Sequence, residues 1–216
     1  MTNIWQLTHN AGHNLTSIIQ AAGWPIWPLI VCSIVGLALI VERFWVLRAD
    51  KVIAPGLQTK ITKLWLQQGP AAALTACGNS VMGKIFAAAI AQTPHEDAMR
   101  QAALQTGRLQ AAALNKYLSG IATVASIAPF LGLLGTVIGM IDMFNAQALG
   151  QAGQADPSAL AGGIAVALYN TAFGLMIAVP ALLAWRVLRA RVDDLVMQLE
   201  LGTEQLLNVV ARTRKR

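Results

Sequence analysis

The sequence predicts an all-α integral membrane protein with three transmembrane helices, two of them extended far into the cytoplasm. Three observations carry this expectation. The 216 residues are 56% hydrophobic and only 12% charged, about half the charged fraction of an average soluble domain. Three uncharged apolar runs are long enough to cross a bilayer. Every Lys and Arg lies in residues 42–116 or 186–216, so the basic residues fence the apolar runs. This composition argues against a disordered chain, a secreted disulfide scaffold and an ordinary cytosolic enzyme. The net charge of +6 does not point to nucleic acid, which needs basic residues on one continuous soluble face.

Residues 1–23 contain no charged side chain and read as a periplasmic amphipathic segment lying on the membrane surface. His9 and His13 are one helical turn apart, but no carboxylate or third ligand accompanies them, so no metal site is expected. Transmembrane helix 1 is expected over 24–43, with Trp24 and Trp27 at the outer interface and Trp45 at the inner one. Its basic flank follows the apolar run, whereas a cleaved signal peptide has the reverse order. Residues 44–116 form a cytoplasmic helical domain, punctuated by Pro55-Gly56 and Gly69-Pro70. The stretch 96–116 has no proline. It is expected to run into transmembrane helix 2 (117–143) as one helix of about 75 Å to residue 145, starting near Pro94.

A basic-free periplasmic loop at 144–158 leads to transmembrane helix 3 (159–185). A cytoplasmic helix and basic tail (186–216) complete the chain, with Leu188, Val192, Leu195, Leu199, Leu206 and Val210 at helical spacing. The positive-inside rule then places the N-terminus in the periplasm and the C-terminus in the cytoplasm. The terminal basic residues suit anionic lipid headgroups. Cys32 and Cys77 lie in unlike settings without a CxxC spacing, which predicts two free thiols.

Chemistry has few places to sit. The spans hold Thr136, Tyr169, Asn170 and Thr171 as their central polar groups, with Asp142 ending the second span. Small residues recur on one face of each helix, notably Gly132, Gly135 and Gly139, and Ala167 and Gly174. One reading is close helix–helix packing. The other is a face turned to a pore or partner helix, where each Thr hydroxyl can donate to a carboxylate or ligate a cation or water. Asp142 is either solvated at the outer interface or an ion collector at an outer mouth. Since Thr does not titrate, a proton path through these spans needs a carboxylate from another chain. No nucleophile–base pair, phosphate loop or cofactor motif is visible, so neither enzyme activity nor a cofactor is expected.

The run Ala128-Pro-Phe-Leu-Gly-Leu-Leu-Gly-Thr-Val-Ile-Gly-Met140 resembles the second-span signature of the ExbB/TolQ/MotA proton-channel family. Residues 163–180, ending Thr171-Ala-Phe-Gly-Leu-Met-Ile-Ala-Val-Pro180, resemble the matching third span, and Val41-Glu-Arg-Phe44 also fits. Three spans match the ExbB/TolQ branch, whereas the MotA branch has four. The resemblance implies an inner-membrane homo-pentamer surrounding the single spans of two ExbD-like chains, whose Asp residues carry protons, and a TonB-like protein as recipient of the work. It implies that Thr136 and Thr171 face that Asp; Asn170 and Tyr169 are expected to line the same ion pathway, and the neutral ligands of Asn170 would also suit a hydrated Na⁺. One departure stands out: the Glu that ExbB and TolQ relatives place before the third-span Thr is Val166 here. A TolQ-like envelope-maintenance motor, a Na⁺-driven relative, a non-conducting scaffold and an ordinary permease are the alternative expectations.

Overall fold

A computed structural model describes residues 23–149 and 157–214. The described residues are helical, with no strand among them. In chain order the helices are α1 (Ile26–Val46), α2 (Ala49–Val52), α3 (Leu57–Gln68), α4 (Pro70–Thr75), α5 (Val81–Ile90), α6 (Glu96–Asn115), α7 (Leu118–Leu149) and α8 (Pro157–Arg214). Three of the apolar segments, in α1, α7 and α8, are long and apolar enough to cross a membrane. The N-terminal amphipathic segment, with His9 and His13, lies outside the described residues. The expected loop at 144–158 is shorter: α7 continues to Leu149 and α8 begins at Pro157. Proline suits a first helical turn, where its missing N–H has no intrahelical partner to lose.

The chain divides into two compact units. The first comprises residues 1–40 and 120–185. Within it, α1 packs on α7 where Gly36 meets Val124; a Cβ on Gly36 would stand 2.8 Å from Val124 Cγ1. Val124, Ala125 and Ala181 form a small buried cluster, with Cys32 and Ile177 against it. Much of the remaining apolar surface is exposed, including Phe130, Leu133, Val137, Leu168 and Met176, as a lipid- or neighbour-facing surface should be.

The second unit comprises residues 41–119 and 186–216. Its core is built from large side chains: Leu47, Val52, Ile61, Phe86, Met99, Leu188, Val192, Leu195 and Leu206 are all essentially buried. Ser80 starts α5 with a side-chain cap, accepting from the Gly83 N–H at 3.0 Å. Such a cap satisfies one of the donors that a helix start leaves open. Cys77 is a buried free thiol. Its Sγ donates to Ala73 O at 3.2 Å, and burial pushes its pKa up.

The expected single helix from 96 to 145 is interrupted. Helix α6 ends at Asn115 and α7 starts at Leu118, with Tyr117 in the left-handed region at φ 67°. The start also differs: His95 is the N-cap residue and Glu96 the first helical one, so Pro94 stands outside the helix. The interruption has a tertiary cause. Arg43, only 3% exposed, donates from Nη1 to Leu114 O at 3.3 Å, closing a carbonyl in the last turn of α6. Its guanidinium lies 4.9 Å from the centroid of the Tyr117 ring, within cation–π range. Lys116 Nζ lies equally close to that ring. A cation at a helix C-terminus also meets the negative end of the helix dipole. Arg191 serves the end of α1 in the same way, Nε donating to Leu47 O at 3.3 Å. Arg189 donates to Asn115 Oδ1 at 2.7 Å. Arginines from neighbouring helices therefore take up groups that the broken helix ends expose.

Candidate functional site

Helices α7 and α8 approach each other through glycine. A Cβ on Gly132 would lie 2.8 Å from Asn170 O and 3.2 Å from Thr171 Cα. A Cβ on Gly174 would lie 2.7 Å from Ala128 O, and one on Gly139 3.0 Å from Gly163 O and 3.1 Å from Ala167 N. Gly163 in turn faces Met143, whose Cβ would be 2.7 Å away. The obstacles at Gly132, Gly139 and Gly174 are backbone atoms, which cannot rotate aside. The small-residue faces read from the sequence are thus brought together within one chain. Gly132, Gly135, Gly139, Ala167 and Gly174 are all buried and occupy this contact, the arrangement that close packing requires.

Asn170 sits inside the same contact. It is fully buried, and its Nδ2 donates to Val166 O, one turn back, at 2.9 Å. Its side chain fills the space where Gly135 has no Cβ: a Cβ there would collide with Asn170 Cβ and stand 2.6 Å from its Cγ. Asn170, expected from the sequence on an ion path, is placed between α7 and α8 against Gly135. Gly135 is the complement of that amide. The glycine periodicity was readable from sequence, but not that an asparagine would be the residue it accommodates.

The two hydroxyls are half-buried. Thr136 Oγ1 donates to Leu133 O at 2.6 Å, and Thr171 Oγ1 donates to Ala167 O at 3.3 Å. With its proton committed to the helix backbone, each oxygen is left with lone pairs to offer. Such an oxygen accepts from a protonated carboxylic acid, a water or a cation. It meets a carboxylate anion only by giving up its own bond. Thr171 adjoins Gly132 across the contact. Tyr169 is 39% exposed and Asp142 is exposed. Val166 is half-buried, with Cγ1 3.3 Å from where a Gly139 Cβ would stand. Among the described residues, no group of three or more His, Cys, Asp or Glu is placed to hold a metal.

Residues 78–201 match the sequence profile of the MotA/TolQ/ExbB proton channel family. The chain belongs to that family. The matched stretch of this MotA/TolQ/ExbB chain contains the whole of α7 and the glycine contact with α8. The biopolymer transport protein exbB1 of Vibrio cholerae is 32% identical over 196 residues, covering 87% of this chain and 84% of that protein. A putative ExbB-like protein 3 of Synechocystis is 30% identical over 176 residues, 79% of this chain and 83% of its own length. The Tol-Pal system protein TolQ of Haemophilus influenzae is 48% identical over a shorter 73 residues, 34% of this chain and 31% of that one. The family and these relatives support a membrane protein that energises biopolymer transport.

Proposed function

We propose that the chain is the pore-forming stator subunit of an ExbB-like inner-membrane motor driven by the proton motive force. Five copies surround the single spans of two ExbD-like chains, and the work is delivered to a TonB-like protein for outer-membrane transport. The N-terminus is periplasmic and the C-terminus cytoplasmic. One observation carries the reading: Thr136 and Thr171, on the helices that meet through glycine, commit their protons to the helix backbone and keep acceptor oxygens, and neither titrates. A proton carrier therefore has to be a carboxylate of the partner.

In this mechanism the partner's Asp, once protonated, donates to Thr136 or Thr171, whose oxygens are acceptors. As a neutral group it can pass the apolar wall, whereas the ionised form pays a large desolvation cost there. Each charge crossing 100 mV supplies about 2.3 kcal/mol. Breaking a sizeable protein contact on the periplasmic side therefore needs several transfers. Val166, at the place of the relatives' Glu, leaves the chain without its own carboxylate on this path. We favour H⁺ as the driving ion, with the neutral Asn170 amide beside Thr171 supporting Na⁺ as the alternative. The TolQ relative supports a second reading, an envelope-maintenance motor with the same ion chemistry.

Native mass spectrometry of the chain co-expressed with its single-span partner tests the assembly. Five copies plus two smaller chains is the expected mass. A stable monomer or dimer in several mild detergents contradicts the motor reading. Thr171→Val then tests the pore role: uptake driven by the proton gradient should fall sharply while assembly persists. Unchanged uptake would remove Thr171 from the path.

A further inference from the structure

Two cavities of the second unit differ in charge balance. One, of about 410 Å³, lies between α6 and α8. Its cations Arg100 and Arg108 are matched by Glu200 and Glu204, and Arg100 pairs with Glu204 at 2.9 Å. The other, an open groove of about 590 Å³ whose Thr59, Lys63, Asn208 and Arg212 are exposed, lies between α3 and α8. Thr59, Thr62 and Lys63 line it from α3, and Asn208 and Arg212 from α8. The Gln58 amide donates to the Gln205 side-chain oxygen, tying the two helices together at this cavity. No carboxylate lines it, and neither Lys63 nor Arg212 is in an ion pair among the described residues.

The lining comes from single helix faces. Residues 58, 59, 62 and 63 follow an i, i+4 rhythm on α3, and residues 205, 208, 209 and 212 follow i, i+3, i+4, i+7 on α8. Both faces present donors to one space. A guanidinium, an ammonium, two hydroxyls and an amide together suit a compact anion with several acceptor oxygens. A phosphate group meets that description, since it takes charge-assisted bonds from Arg and Lys and further bonds from hydroxyl and amide donors. We propose that the α3/α8 cavity binds a phosphate group, with Lys63 and Arg212 as its charged anchors and Thr59, Thr62 and Asn208 as orienting donors.

Pyrophosphate is the probe, titrated calorimetrically into the full chain in nanodiscs of zwitterionic lipid. Saturable binding that weakens with added salt is expected, as screening requires. Lys63→Gln with Arg212→Gln should weaken it by about tenfold or more, the loss of one to two charge-assisted bonds. Lys60→Gln with Lys84→Gln removes the same charge from exposed positions outside the lining and should leave affinity within about twofold, the remainder being screened long-range attraction. Absence of saturable binding, or an equal loss in both double variants, overturns the site. Repeating the titration in nanodiscs with anionic phospholipid identifies the natural source. Unchanged binding is expected and assigns the site to a soluble phosphate compound, because Arg212 stands near the end of α8, far along that helix from its spanning segment; loss of pyrophosphate binding to the anionic membrane would overturn that placement.

Discussion

Where α7 meets α8, the contact is made by Gly132, Gly135, Gly139, Ala167 and Gly174. Where α5 and α6 pack in the second unit, the buried side chains include Phe86, Ile85, Ile90 and Met99 beside Ala89 and Ala103. The chain thus uses the smallest side chains to join its spanning helices and large ones to join the others. The solvent explains the difference. Lipid tails are as apolar as Leu, so burying a large side chain between spanning helices gains little, and close backbone approach through dispersion takes its place. In water, each fully buried large apolar side chain contributes about 1.5–3 kcal/mol. The exposed residues repeat the lesson, since Phe130, Leu133, Leu168 and Met176 face outward on the spans.

The comparison can be broken in five places, all measurable by unfolding of the purified chain in detergent. Phe86→Ala should have the largest effect, about 3–5 kcal/mol, because it empties a wholly buried site. A loss under 1 kcal/mol would mean that the second unit is not held by its core. Gly135→Ala should come next, near the upper end of the about 1–3 kcal/mol typical of overpacking, because the added methyl meets Asn170. Gly202→Ala is its counterpart in the second unit. There the added Cβ meets only the mobile end of Met82, 2.9 Å from Cε. That change should be near neutral or favourable by up to about 1 kcal/mol through helix propensity. Equal effects of the two alanines would erase the distinction between the units.

Arg43→Met keeps much of the side chain's volume but leaves Leu114 O without its donor and removes the cation beneath Tyr117. A loss of about 1–3 kcal/mol is expected from the orphaned carbonyl, together with faster amide exchange at the end of α6. Unaltered exchange would show that Arg43 does not hold that helix end. Arg100→Ala should also be a small change, within about 1 kcal/mol, because the Arg100–Glu204 pair is about half exposed on both sides. A larger loss would show that surface ion pairs, not the core, organise the second unit.

The three spanning helices were readable from the spacing of charges and apolar runs. So was the buried stripe Leu188, Val192, Leu195, Leu199, Leu206 and Val210, which a helical period makes visible. The interruption at Lys116–Tyr117 was not. Residues 96–115 carry a helix-forming composition, and neither Pro nor Gly marks the break. Its cause is Arg43, which is 71 residues from Leu114 in sequence. Periodicity exposed the small-residue faces on α7 and α8, but it cannot say which helix a face meets. Asn170 illustrates the limit: the sequence sets a polar residue beside Thr171, but not that it abuts Gly135 on the facing helix.

Proton flux through proteoliposomes addresses the central claim most directly, since that claim is that the spans of this chain carry no titrating group at the α7/α8 contact and depend on a partner's carboxylate. A pH-sensitive dye inside the vesicles would report flux under an imposed gradient, for the chain alone and for the chain with its single-span partner. The account predicts no flux above empty vesicles for the chain alone, flux with the partner, and loss of that flux when the partner's Asp becomes Asn. Flux through the chain alone, undiminished by the partner's Asn variant, would contradict it.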